Sequence, residues 1–71
     1  MYEYKGYFKP SDSKAFEIIK EELKIVNPLL KMVKGDLIKG LTETKVKFKN
    51  SNEYETFLIR LRSRNLMVKS I

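Results

Sequence analysis

Seventy-one residues make a single domain, 1–71, near the lower size at which a chain folds without staples. With neither cysteine nor histidine, the chain excludes a disulfide framework, zinc sites of the usual kind and the default general base. Fifteen Lys and Arg against nine Asp and Glu leave a net charge of +6, a bias that suits nucleic acid, an acidic protein or a membrane surface as partner.

A core of this size supplies only about 3–5 kcal/mol, so a homo-oligomer that shares apolar surface is expected. No run approaches the roughly 18 apolar residues of a spanning helix, and MYEYKGYFKP has no apolar signal region. The expectation is a cytoplasmic protein with no membrane contact. Nothing in the sequence calls for a cofactor, a metal or a small-molecule substrate.

In chain order, the first pattern is alternation. Tyr2, Tyr4 and Phe8 fall on one side of a strand, and Glu3, Lys5 and Tyr7 on the other. Gly6 marks a candidate bulge, and Pro10 ends the run. Ser11, Asp12 and Ser13 offer helix N-caps, because their side-chain oxygens accept from the free N–H groups of a first turn.

A helical stripe follows: Phe16, Ile19, Leu23 and Val26, continuing in phase through Leu30 and Val33. Pro28 lies inside it. The spacing predicts a kink near Asn27, or a break with Pro28 opening a second short helix and Gly35 stopping it. A second stripe, Ile18, Ile25, Leu29 and Met32, runs beside the first. It reads either as a wide buried face or as the oligomer interface.

Asp36–Leu41, DLIKGL, fits a short strand or the tail of the helical region. The flanking Gly35 and Gly40 favour a strand ending in a turn. A strand over Thr42–Lys49 comes next. Asn50, Ser51 and Asn52 form a turn and cap cluster, with Asn52 and Glu55 spaced like a capping box, and Tyr54, Phe57, Leu58 and Leu61 give a helical face. Asn65 suits a left-handed C-cap, and Leu66–Ile71 suits a last strand.

The order βα(α)ββαβ describes a small two-layer α+β domain, with three or four strands and two main helices on one sheet face. With Asp36–Leu41 as a strand, the order resembles the ferredoxin-like split βαβ motif in topology. That resemblance implies that the first and third strands are neighbours.

Thr44–Asn50, TKVKFKN, carries the functional expectation. If Val46 and Phe48 face the helices, Lys45, Lys47 and Lys49 face away, joined by Lys5 and Tyr7 from the first strand. Lys69 is a further candidate in the last strand. A cationic face with a ring suits nucleic acid, since lysines neutralise phosphates and a ring stacks a base. No RNP1-like run of glycine and aromatics is present. The competing reading is a solvated face, or a strand edge guarded by charge.

The only arginines form the run RLRSR. Arg60 and Arg64 share a helix side and are candidate phosphate contacts; their position also complements the helix dipole. Lys20, Lys24 and Lys31 lie along one side of the first helical region, with Glu17 and Glu21 at pairing distance. Ile59 stands among polar residues as a candidate protein contact. Catalysis is not expected: the carboxylates are scattered, the serines lack a base, and no phosphate-cradling glycine motif occurs.

Overall fold

The computed structural model describes residues 2–66. Strand β1 (Tyr2–Phe8), helix α1 (Ser13–Val26), strands β2 (Val33–Ile38) and β3 (Leu41–Phe48) and helix α2 (Ser51–Ser63) follow one another along the chain. β3 is hydrogen-bonded to β1 on one side and to β2 on the other, antiparallel to both. β1 and β2 are therefore parallel, and α1 carries the chain across β3 between them. The result is a two-layer α+β domain in which β3 separates the parallel strands β1 and β2. The last expected strand lies outside the described residues from position 67 onward.

Period-two patterning sets the layers. Tyr4, Phe8, Val46 and Phe48 turn to one sheet face and are buried there. Phe16, Ile19 and Leu23 of α1 and Phe57 and Leu61 of α2 meet them. Aromatic contacts join the layers: Phe8 against Phe16 at 5.9 Å, and Phe57 against Tyr4 at 5.2 Å and Phe48 at 5.3 Å. Full burial of each such side chain contributes about 1.5–3 kcal/mol. At the sheet margin the Lys34 ammonium lies 4.2 Å from the centroid of the Phe16 ring, a cation–π contact.

Gly6 does not form a bulge. The β1–β3 register runs without a shift from Tyr2↔Phe48 to Phe8↔Thr42. The glycine instead makes room for a neighbour, because a Cβ there would collide with the Tyr4 hydroxyl and approach Phe8 Cε2 to 2.7 Å. The irregularity lies in β2, where the register shifts between Lys34 and Leu37.

The helical stripe through Leu30 and Val33 is broken at Pro28. α1 ends at Val26, and Asn27 is extended at φ −162°, as a residue before proline prefers. No second helix intervenes before β2. Leu30 and Met32 reach the core from a loop, and Gly35 lies within β2 instead of stopping a helix. The ambiguous segment is a strand, but it begins at Val33, three residues before the expected start. Lys39 and Gly40 then turn the chain, both with positive φ. Two such residues between paired Ile38 and Leu41 make the tight hairpin that matches strand twist.

Side chains fix the helix ends. Asp12 caps α1, accepting from the Ala15 N–H. α2 is capped by Asn50, which accepts from the Asn52 and Glu53 N–H groups, not by Asn52. The α2 C-terminus closes with Asn65 N–H to Arg62 C=O, Leu66 N–H to Leu61 C=O and left-handed Asn65. Among the described residues no helix is long and apolar enough to cross a membrane.

Candidate functional site

The sheet face opposite the helices carries the odd-numbered residues of β1 and β3. Lys5 is directly across from Lys45, Glu3 from Lys47, and Tyr7 from Glu43. Like charges placed opposite one another repel, and each lysine of the first pair has an acid beside it. Lys5 Nζ is 3.6 Å from Glu3, and Lys45 Nζ is 3.4 Å from Glu43. The Lys5–Glu3 pair, on the more exposed part of the face, is worth about 0–1 kcal/mol, while Glu43 is largely buried beneath Lys45. Among the described residues, Lys47 and Lys49 make no ion pair.

Glu43 organises this face. Tyr7 Oη donates to its carboxylate at 3.1 Å. Desolvation, then this bond and the carboxylate's charge, push the Tyr7 hydroxyl above its ordinary value. Gly35, in the irregular part of β2, leaves space for the acid: a Cβ there would stand 3.0 Å from Glu43 Oε1. The Tyr7 ring is thus tethered beside a carboxylate, which disfavours its stacking beneath an anionic strand.

The arginines are placed elsewhere. Arg60 Nε donates to Glu22 of α1, and Arg64 donates to Glu21 at 2.7 Å and to Glu22 at 3.1 Å. Glu22 is 4 % exposed. Burial pushes its carboxyl up, but the two guanidinium groups outweigh burial and hold it below the ordinary range. Hydrogen bonds to Glu21 and Glu22 raise Arg64 in turn. This cluster clasps α1 to α2 in the helix layer, so Arg60 and Arg64 do not share a surface with the sheet lysines. Glu21, expected to pair with Lys24, is drawn to Arg64 instead.

One lysine was not expected here. Lys31 lines a shallow hollow together with Val33, Lys45 and Lys47. Sequence spacing places it with Lys20 and Lys24 on a helix. The break at Pro28 frees it from that helix and swings it toward the β2–β3 end of the sheet. Proline was the available signal, but it gave no direction for the chain beyond it.

The residues of the second apolar stripe also separate. Ile18 and Met32 are half-buried against the core. Ile25 is 60 % exposed and borders a hollow with Val26, Thr56 and Arg60. Leu29 is 87 % exposed on the loop after α1. With α1 ending at Val26, the four residues do not share one helix face.

Fold and surface together define a small basic two-layer α+β domain with a lysine-bearing sheet face that neither α1 nor α2 covers. No protein-family model matches the chain, and no curated protein and no solved structure matches it significantly.

Proposed function

We propose that this protein is a nucleic-acid-binding accessory or regulatory protein, acting in the cytoplasm without catalytic activity and gripping phosphates with its sheet lysines. One observation carries the reading: Lys31, Lys45 and Lys47 converge on a hollow whose lining includes no acid. A backbone phosphate at this hollow would be attracted by all three lysines, and such charge attraction is the sequence-independent term of nucleic-acid affinity. Lys45 is shared with Glu43 at 3.4 Å, whereas Lys31 and Lys47 make no ion pair among the described residues and carry the free charge of the hollow.

A salt titration of oligonucleotide binding tests the reading. Affinity should fall steeply with salt, and Lys45→Glu with Lys47→Glu should abolish binding. Wild-type affinity in that double variant, or no binding near physiological salt, would exclude the proposed surface.

A second reading, a homo-oligomeric or protein-interaction module, draws support from exposed Ile25 and Ile59, at 60 % and 62 %. Light scattering separates the two readings: Ile25→Glu should dissociate a dimer built on the helix layer while leaving a monomeric nucleic-acid binder unchanged.

A further inference from the structure

The loop between α1 and β2 carries a feature beyond the sheet face. Leu29, the most exposed of the large apolar side chains among the described residues, follows exposed Pro28 at its tip. The tip is held in place. Leu29 N–H donates to Asn27 Oδ1 at 3.0 Å, and Leu30 N–H to the Asn27 carbonyl at 3.1 Å. Asn27 Nδ2 in turn donates to Glu53 of α2 at 3.1 Å. Leu29 is therefore presented by a braced turn.

Two hollows flank this tip, one lined by Leu29 and one by Pro28, and a third adjoins both. Leu30 lines the first and second, Lys31 the second and third, and Lys47 the third and first. Lysines line all three. Lys20 and Lys24 come from α1, Lys45, Lys47 and Lys49 from β3 and its end, and Lys31 from the loop itself. The single acid in these linings is Glu53, already engaged by Asn27.

We propose that the Pro28–Leu29 tip is an apolar wedge that enters a groove of duplex DNA, with the α1 lysines on the phosphates of one strand and the β3 lysines on those of the other. This deepens the nucleic-acid reading and rests on it. Cations on both sides of a rigid tip match two phosphate rows flanking a groove, and leucine and proline are residues that unstack a base step and bend the duplex. A single-stranded ligand fits less well, because the one ring lining these hollows, Phe48, is fully buried and offers no stacking platform. A bilayer fits less well too. One leucine contributes only about 1.5–3 kcal/mol on burial, and the apolar face of α1 is already committed to the core.

The test uses a short duplex labelled at both ends, so that energy transfer reports bending and anisotropy reports binding. Wild type should bind and bring the ends together. Leu29→Ala, at an exposed site that leaves folding intact, should keep the salt dependence of binding but lose at least half of the transfer change. Lys31→Glu with Lys47→Glu should weaken binding at least tenfold and flatten its salt dependence. If the Leu29→Ala variant bends the duplex as much as wild type, the wedge is overturned and the nucleic-acid reading stands. Failure to bind any oligonucleotide would overturn both. Tighter binding to the single strand, or Leu29-dependent binding to phosphatidylserine vesicles without DNA binding, would also overturn the wedge.

Discussion

Arg60 of α2 donates to the buried carboxylate of Glu22 on α1, thirty-eight residues away, and so ties together the two helices that cover the sheet. Its partner Arg64 closes the same clasp. A charge this far from water persists only because two guanidinium groups face it.

That clasp makes stability depend on acid. The Glu22 carboxyl is held below its ordinary value in the folded chain, so its contribution is fully present above the unfolded value, about 4.3, and is lost as pH falls through the folded one. Glu22→Gln should cost about 1–3 kcal/mol at pH 7 and remove part of the acid sensitivity. Urea unfolding at pH 7 and pH 3.5 checks this; an equal loss of stability on acidification in both proteins would refute it.

Arg64 and Lys47 should behave in opposite ways. Arg64→Gln breaks contacts to Glu21 and Glu22, so it should lower the melting temperature and leave oligonucleotide affinity alone. Lys47→Gln leaves no ion pair broken among the described residues, so it should keep the melting temperature and reduce the salt slope of binding by about 1. Parallel melting and anisotropy measurements decide between them.

The Tyr4 hydroxyl is buried with no hydrogen-bond partner among the described residues, and burial raises its ionisation well above the ordinary range. Gly6 leaves the space it occupies. Gly6→Ala should therefore destabilise the fold by about 1–3 kcal/mol through overpacking. Tyr4→Phe alone should be near neutral, and in combination should recover part of the loss. Strict additivity of the two changes in a denaturant series would show that these groups do not meet.

Asn50→Ala should cost about 1 kcal/mol, because it removes the acceptor for two free N–H groups of α2. Asn52→Ala, within the helix, should cost less than about 0.5 kcal/mol. The reverse ranking in thermal melts would move the cap to Asn52.

Lys39 holds a left-handed backbone at φ 53° in the β2–β3 turn. A side chain that tolerates this region relieves strain, so Lys39→Asn should stabilise by up to about 1 kcal/mol. A loss of stability on that exchange would contradict the turn geometry.

Much of the fold was legible in the residues themselves. Alternation around Tyr4 and Val46 and the 3.6-residue spacing of Phe16, Ile19 and Leu23 specify which side of each element is apolar, because burial rewards any arrangement that hides those sides together. The same alternation placed Lys5, Lys45 and Lys47 on the open face. Where patterning failed, a local competitor won. Within the cap cluster Asn50 took the cap that spacing assigned to Asn52, and the break at Pro28 was followed by a loop and a strand instead of a second helix.

By itself, then, the sequence determined the two helices, the first and third strands, the two layers and the facing of Lys5, Lys45 and Lys47, since these follow from periods within one segment, but not the path from Pro28 to Ile38. Only the tertiary structure decided that Glu22 captures Arg60 and Arg64, that Lys31 joins Lys45 and Lys47, and that Leu29 stands clear of the core. Those relationships link residues with no shared period, and they depend on how the chain is directed after Asn27 and how closely two helices pack.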